Sequence, residues 1–159
     1  MKVNLKYTNE KSKELYRKAS EPENCEVPFK THTRDFCYDC VAVSCEEIHP
    51  NVYKYGLGIA LQIDEEKPKN KIYSIDGRPR SSIFKTGMSL ANCEATIDED
   101  YNGEIFAIFY HLIPTLPKYK VGDKIIQIKI GETIPIEFNV VDDLKETIRG
   151  NGGFGSTGK

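Results

Sequence analysis

Short apolar segments, alternating or rich in β-branched residues, dominate the chain from Phe36 onward. Gly, Pro, Asp and Asn turn residues separate the stretches FCYDCVAV, GIALQI, KIYSI, EIFAIFY, DKIIQIKI and IPIEFNVV. Before them, NEKSKELYRKA has a helical period, with Asn9 as a candidate cap and Leu15, Tyr16 and Ala19 near one face. The pattern predicts an all-β barrel or sandwich preceded by one short helix over 9–19.

Length and charge narrow the class of protein. A chain of 159 residues suits a single domain with one core. Its net charge of -2, with basic residues scattered along the chain, argues against a nucleic-acid partner bound by bulk electrostatics. The sequence also lacks the apolar window of a membrane helix and the apolar centre of a signal peptide. We therefore expect a cytoplasmic protein with no membrane contact.

Five cysteines are an odd number, which favours reduced thiols over a disulfide framework. Cys37 and Cys40 form a C-x-x-C pair that could begin a zinc site if Cys25, His32 or His49 completed the ligand set. A second C-x-x-C or a paired histidine does not follow. The preferred interpretation is small, half-buried thiols in a strand.

The C-terminal residues 153–159, GFGSTGK, match the G-x-x-x-x-G-K spacing of a phosphate-binding P-loop. That loop needs a Ser or Thr after the lysine to hold a magnesium ion, and a helix whose N-terminus faces the phosphate. Neither follows Lys159. We expect this stretch to be a different loop that contacts phosphates.

Two polar stretches between the predicted strands have residue types that suit chemistry. IDEDY places three carboxylates at 98–100 beside Tyr101, which is typical of a general base, a metal site or a solvated turn, and spacing alone favours the solvated turn. GRPRSSI combines Arg78 and Arg80 with Ser81 and Ser82. That combination suits phosphate contacts and is equally common on surfaces.

Taken together, five stretches resemble the ordered motifs of the trimeric dUTP pyrophosphatases. They are YDC around Asp39, PRSS at 79–82, ATIDEDYNGE at 95–104, GDKIIQI at 122–128 and RGNGGFGSTG at 149–158. The resemblance runs from about Val27 to the C-terminus. It implies a distorted β-barrel or jelly-roll-like fold that assembles as a homotrimer. One β domain would span 1–148, with 1–26 as an N-terminal extension, and a mobile glycine-rich arm would span 149–159.

The resemblance also implies a reaction. dUTP would be hydrolysed to dUMP and pyrophosphate, which keeps uracil out of DNA and supplies dUMP for thymidylate synthesis. Asp98 would be the base that orients and deprotonates a water for attack on the α-phosphorus. Mg²⁺ would be the cofactor, held mainly by the triphosphate, with Asp39 holding its water shell.

Substrate selectivity follows from the same resemblance. Tyr101 would pack under the sugar and leave no room for a 2′-hydroxyl, so UTP would be refused. The hairpin around Ala91 to Ile97 would read uracil with help from the Asn92 side chain, and Phe154 of the arm would close over the base. The remaining substrate contacts implied by the resemblance are Arg80, Ser81, Ser82, Ile97, Gln127, Arg149, Gly155, Ser156 and Thr157.

Some positions depart from the family pattern. The first motif generally reads Ala-Gly-Tyr-Asp-Leu, whereas this chain has Phe36-Cys37-Tyr38-Asp39-Cys40, so two small positions carry larger residues. Ala95 stands where the third motif usually has Gly, and a positive φ there would cost an alanine steric strain. Base selectivity is the property that we expect this change to affect most.

Two other functions fit parts of the pattern. A dCTP deaminase, or a bifunctional relative on the same scaffold, would also accommodate RSS and ID, but it should lack an arm that carries a phenylalanine. A catalytically idle nucleotide-binding regulator could keep the pocket without the reaction, because a fold alone does not guarantee activity.

Overall fold

The computed structural model describes residues 1–64, 70–150 and 152. The elements in chain order are β1 (Val3–Tyr7), α1 (Ser12–Ala19), β2 (Tyr38–Val41), β3 (Ser44–His49), β4 (Val52–Gly56), β5 (Ile59–Ile63), β6 (Ile72–Pro79), a 3-10 helix (Ser81–Lys85), β7 (Met88–Leu90), β8 (Ala95–Asp98), β9 (Phe106–His111) and β10 (Lys124–Thr133). None of the helices in these ranges is long and apolar enough to cross a membrane.

The strands form three antiparallel sheets. The first has the order β2-β10-β6-β8, the second has the order β3-β4-β9-β7, and β1 pairs with β5 in a two-stranded sheet. Two four-stranded antiparallel sheets around one core are typical of a jelly-roll-like arrangement. The all-β prediction is confirmed, and within the described residues the sheets stay open rather than closing into a barrel.

The first sheet has one apolar face and one polar face, because alternate residues of a strand point to opposite sides. On β10, Ile126 and Ile128 are buried in the core. Gln127 and Lys129, which alternate with them, are partly exposed on the other face. Directly opposite residues in paired strands share a face. Asp39 on β2 is opposite Gln127, so the polar face carries the first predicted site residues.

The N-terminal residues complete the core. The ring of Tyr16 on α1 is fully buried, and its hydroxyl donates to the Leu57 carbonyl at 3.3 Å. The Ser12 hydroxyl, also buried, donates to the Gly58 carbonyl at 2.8 Å. The helix predicted over 9–19 forms over 12–19, and the Asn9 side chain accepts the Lys11 N–H at 2.9 Å just before it. Residues expected to be an extension therefore contribute side chains to the interior.

The chain after β10 packs differently. Apolar side chains recur at every second position, yet Ile134, Ile136, Phe138 and Val140 are 78%, 74%, 87% and 95% exposed. The strand predicted in IPIEFNVV is wrong for the chain by itself, since residues 134–141 join no strand among the described residues. A strand needs a neighbouring strand to satisfy its backbone N–H and C=O groups. The apolar period is therefore present without a partner from the same chain.

Candidate active site

A partly buried ion pair joins the first two predicted motifs. Asp39, 7% exposed, lies on β2, and Arg80 follows the last residue of β6. Arg80 Nε donates to one carboxylate oxygen at 2.9 Å and Nη2 donates to the other at 3.2 Å. This two-point geometry fixes the guanidinium plane. The remaining nitrogen, Nη1, is 3.5 Å from the Ser82 hydroxyl, which is the limit of a hydrogen bond, so its protons can serve another acceptor.

Residues 80–86, which we name the serine turn, form a compact unit beside this pair. The Ile83 N–H donates to the Arg80 carbonyl at 3.0 Å, and the Thr86 N–H donates to the Ile83 carbonyl at 2.9 Å. Ser81 is exposed and Ser82 is half-buried, both at the start of the 3-10 helix. The turn therefore presents two hydroxyls beside one fixed arginine.

Gln127 lies beside the same unit. β10 runs between β2 and β6, and the Gln127 amide nitrogen is 3.4 Å from the Pro79 carbonyl at the end of β6. The structure thus brings together Asp39, Arg80, Ser82 and Gln127, which we name the donor cluster. Its guanidinium, hydroxyl and amide groups are hydrogen-bond donors that suit phosphate oxygens.

The hairpin between β7 and β8 is held to the neighbouring strand by a charged pair. Glu94 accepts from Arg78 at 2.7 Å and 2.6 Å through two guanidinium nitrogens. Sequence reasoning did not find this pair, because the two residues are 16 positions apart and meet only when β6 and β8 are paired. Asn92 at the tip of the hairpin is exposed.

The alanine in the third motif is accommodated without backbone strain. The positive φ of the hairpin, 58°, belongs to Cys93, whereas Ala95 is buried in strand β8. Ala95 lies directly opposite Gly77 on β6. A Cβ on Gly77 would be 3.3 Å from the Ala95 Cβ, so the glycine on one strand makes room for the methyl group on the other. The expected steric cost does not arise.

Asp98 and Tyr101 lie at the end of β8. The Tyr101 N–H donates to the Asp98 carbonyl at 3.1 Å, and the Tyr101 hydroxyl donates to the Glu104 carbonyl at 2.8 Å. These bonds close a turn that leaves Tyr101 44% exposed and the Asp98 side chain exposed. Asp98 lines an open cleft of about 710 Å³ together with Tyr73, Ser74 and Thr96. Ile97, between the motif's polar positions, packs against the core.

Within one chain Asp98 is far from the donor cluster. On β6, Asp98 aligns with Ser74, whereas the row of residues that contains Asp39 crosses β6 at Arg78. Ser74 and Arg78 are about 13 Å apart along the strand, and β8 and β2 are about 14 Å apart across the sheet. The backbone positions of Asp98 and Asp39 are therefore about 20 Å apart. A single chain does not place the predicted base beside the predicted phosphate ligands.

The predicted arm is described only at its start. Arg149 is exposed, and its Nε donates to the Gly152 carbonyl at 2.9 Å. Phe154, Gly155, Ser156 and Thr157 lie outside the described residues.

The cysteines show no metal-site arrangement. All five are free thiols. Cys40 is fully buried, and burial raises the pKa of its thiol far above the ordinary value, which keeps it protonated and unreactive. Over residues 1–64, 70–150 and 152, no group of three or more His, Cys, Asp or Glu side chains could hold a metal ion.

Comparison with known proteins identifies the family of this chain. The family model for dUTPase matches residues 37–158. The chain belongs to the dUTPase family. The deoxyuridine 5'-triphosphate nucleotidohydrolase of Clostridium novyi is 37% identical over 138 residues, which cover 86% of this chain and 93% of that protein. The enzyme of the same name from Wolinella succinogenes is 39% identical over 124 residues, covering 77% of this chain and 79% of its own length.

Solved structures show the same fold. A variant dUTPase of Staphylococcus bacteriophage 80alpha with dUpNHpp has a TM-score of 0.71 at 16% identity, and the match covers 99% of each chain. A variant dUTPase from phage phi11 of S. aureus, described with a structural Mg(II) ion, has a TM-score of 0.64 at 16% identity. That match covers 92% of this chain and 100% of the phage chain. The fold is thus shared at low sequence identity.

Proposed function

We propose that this chain is a dUTP diphosphatase that hydrolyses dUTP to dUMP and pyrophosphate. The observation that carries the proposal is the donor cluster, in which a buried carboxylate fixes an arginine beside the Ser82 hydroxyl and a glutamine. Relatives at 37% and 39% identity are named for dUTP hydrolysis, which supports this choice of substrate. Supplying dUMP and removing dUTP would be the physiological result.

The donor cluster would bind the triphosphate. dUTP carries about four negative charges at neutral pH, and guanidinium donors give charge-assisted hydrogen bonds to phosphate oxygens. Because Asp39 holds the Arg80 plane before substrate arrives, little side-chain entropy is lost on binding. Ser81, Ser82 and Gln127 would add neutral donors, and Arg149, Ser156 and Thr157 of the arm would complete the set.

Mg²⁺ is the proposed cofactor. Asp39 is the carboxylate of the donor cluster, and one carboxylate together with substrate phosphates is a usual environment for this ion. A structural Mg(II) ion is described for the phage phi11 enzyme. When bound, Mg²⁺ would neutralise charge that develops on the phosphate oxygens. Asp39 would contact it through water, since both carboxylate oxygens already accept from Arg80.

Asp98 is the proposed general base. Its carboxylate is exposed at the end of β8, lines an open cleft, and can orient a water molecule and accept its proton. The α-phosphorus would have to lie within reach of that water. The backbone of the Asp98 turn is closed by the Tyr101 N–H, so the backbone position of Asp98 is set before substrate binds.

Tyr101 and the hairpin are the proposed selectivity elements. The hydroxyl bond from Tyr101 to the Glu104 carbonyl fixes the exposed ring, which would pack under the deoxyribose and exclude a 2′-hydroxyl. The hairpin backbone from Ala91 to Ile97 and the Asn92 amide would read uracil. Phe154 would stack over the base, with Gly155 allowing close approach of the arm.

A homotrimer with shared sites is part of the proposal. The separation of about 20 Å between Asp98 and Asp39 requires a second copy to complete a site, if each residue has its proposed role. An apolar groove of about 580 Å³ between β1 and β10 is lined by side chains that include Val3, Leu5 and Ile130. The exposed alternate apolar residues of 134–141 have the period of a strand and would pack in such a groove of a neighbouring copy.

One mixing experiment tests the shared site. An Asp98→Asn protein and a protein that lacks residues 149–159 should each be nearly inactive. After they are unfolded together and refolded at equal amounts, a site is complete when its hairpin comes from the arm-deleted chain and its arm from the Asp98→Asn chain. About one quarter of the sites should then recover. An inactive mixture that contains verified mixed trimers would reject the arrangement while leaving the activity itself untouched.

The activity is tested by incubating the protein with dUTP, dCTP and UTP in the presence of Mg²⁺ and measuring pyrophosphate and ammonia. We expect pyrophosphate from dUTP, little from UTP, and no ammonia. Ammonia from dCTP would instead favour the deaminase. Binding of dUTP without any product would favour the idle regulator.

A further inference from the structure

The hydroxyl of Tyr119 is the buried polar group that needs an explanation. Tyr119 is 7% exposed, and among the described residues its hydroxyl oxygen has no hydrogen-bond partner. A buried polar group without a partner is destabilising, and such groups are rare in native proteins. Phenylalanine at this position would fill the same space without that cost. The hydroxyl is therefore a feature that the free protein does not use.

The ring of Tyr119 is held firmly in place. It packs edge-on against Phe109, with ring centroids 5.3 Å apart, and against Tyr55, with centroids 6.4 Å apart. The Tyr119 carbonyl also accepts the Tyr55 hydroxyl at 2.9 Å. With both ring and backbone fixed, the Tyr119 hydroxyl cannot turn toward solvent to find a partner.

The segment that carries Tyr119 contacts the end of the serine turn. The Gly87 N–H, directly after Thr86, donates to the Pro117 carbonyl at 3.1 Å, and Pro117 is two residues before Tyr119. Burial raises the pKa of Tyr119, while the Thr86 hydroxyl and the positive charge of Arg80 lower it, which agrees with this placement. The Thr86 hydroxyl nevertheless falls outside hydrogen-bond geometry with Tyr119. Thr86 donates to the Ile83 carbonyl at 2.7 Å and accepts the Met88 N–H at 3.2 Å. Because a hydroxyl oxygen has two lone pairs, one acceptor position on Thr86 is left.

We propose that Tyr119 is a positioning residue for polyphosphate binding, whose hydroxyl donates to Thr86 when the serine turn settles onto the phosphates. The inference rests on the proposed function and adds a residue that lies outside the five motifs. The hydrogen bonds from Ile83 to Arg80 and from Thr86 to Ile83 connect the two ends of the turn. A small shift of Arg80 onto a phosphate would therefore carry Thr86 with it.

Pairing the Tyr119 hydroxyl in the complex would make substrate binding more favourable. In the free protein the Tyr119 hydroxyl is desolvated and unpaired, whereas in the complex it is desolvated and paired. The difference between these states adds to substrate affinity. Because the hydroxyl does not touch the reacting atoms, its contribution should appear in KM rather than in kcat.

The test is Tyr119→Phe, compared with Tyr16→Phe as a matched control. Both changes remove one buried phenol oxygen, but the Tyr16 hydroxyl donates to the Leu57 carbonyl in the free protein. For Tyr119→Phe we expect an unchanged or higher Tm, and a rise in KM for dUTP of roughly two- to tenfold with kcat within about twofold. For Tyr16→Phe we expect a lower Tm with normal KM and kcat.

Each other outcome for Tyr119→Phe decides against the proposal. A lower Tm or a failure to fold would show that the hydroxyl already stabilises the free protein. An unchanged KM would show that the complex does not use the hydroxyl. A wild-type protein that does not hydrolyse dUTP would instead refute the proposed function. In that case, calorimetric titration of wild type and Tyr119→Phe with tripolyphosphate and Mg²⁺ still measures the inferred affinity difference, and equal affinities would overturn the inference.

Discussion

The donor cluster and the Asp98 turn are built in opposite ways. Asp39 is buried, in two-point contact with Arg80, and carried by a strand that is paired to the long strand β10. Asp98 is exposed, at the end of the short strand β8 on the edge of the same sheet. The first unit is complete inside one chain, whereas the second presents a carboxylate to a surface. Substitutions in the donor cluster should therefore affect both stability and activity, but substitutions at Asp98 should affect activity alone.

The largest expected effect is that of Asp98→Asn. The amide keeps the shape of the side chain but cannot accept a proton from water, so kcat should fall by about 10² to 10⁴. Because the side chain is exposed, the free energy of unfolding should stay within about 0.5 kcal/mol of the wild-type value. Steady-state kinetics and denaturant unfolding of the same preparation measure both quantities.

Asp100→Asn is the matched control for this substitution, since Asp100 is an exposed carboxylate two residues along the same motif. It should retain most of the turnover. A normal kcat in Asp98→Asn with a large loss in Asp100→Asn would move the base from one residue to the other.

Deletion of residues 149–159 should also abolish most of the catalysis. The deleted stretch holds little apolar surface, so unfolding by heat should be nearly unchanged while kcat/KM collapses. Phe154→Ala should give a milder loss of the same kind through lost stacking on the base. A fall in Tm on the scale of a core substitution would show that the arm stabilises the fold.

Asp39→Asn should combine both kinds of loss. It leaves the Arg80 guanidinium without its charged partner, and since Arg80 is partly exposed we expect destabilisation by about 1 to 3 kcal/mol. Affinity for dUTP should fall as well, because the guanidinium plane is no longer fixed. Glu94→Gln, which breaks the exposed pair with Arg78, is the comparison and should cost under about 1 kcal/mol. If Asp39→Asn and Glu94→Gln lowered the free energy of unfolding equally, the greater burial of the Asp39 pair would have no effect on stability.

The smallest expected effect is that of Gly77→Ala. The new methyl group would lie 3.3 Å from the Ala95 Cβ and 3.2 Å from the Ile126 Cδ1, so the strands β6 and β8 must shift slightly, at a cost of about 1 kcal/mol. Adding Ala95→Gly should recover part of that cost. If the double variant is no more stable than Gly77→Ala, the two positions are not coupled, and the explanation for the alanine in the third motif fails.

Local patterns predicted five of the strands that this chain completes by itself, and they missed β1, β3, β4, β7 and β8. FCYDCVAV, KIYSI and DKIIQIKI contain β2, part of β6 and most of β10, because β-branched and alternating residues indicate a strand wherever a partner is available. IPIEFNVV has the same period and forms no strand here. Whether a strand forms depends on a partner strand, and the sequence of one chain does not state where that partner comes from.

For the candidate site, motifs in the sequence indicated Asp39, Arg80 and Asp98, and the roles of these residues stay predictions. Contacts that depend on the register of distant strands were not predictable, and the pairs Arg78–Glu94 and Gly77–Ala95 are of this kind. Tyr119 gave no local signal either, since an aromatic residue in PKYKVGD is an ordinary core residue until its hydroxyl is found unpaired.

Tyr16 and Ser12 make the folding unit longer than the stretch by which the family is detected. The family match begins at residue 37, yet the carbonyls of Leu57 and Gly58 accept hydrogen bonds from residues 16 and 12. A fragment that begins at residue 37 would contain every motif and would still have an opened interior. A fragment made for expression or domain transfer should therefore include Ser12 and Tyr16, whose hydroxyl groups bond to carbonyls of the core, and should not begin where the sequence match begins.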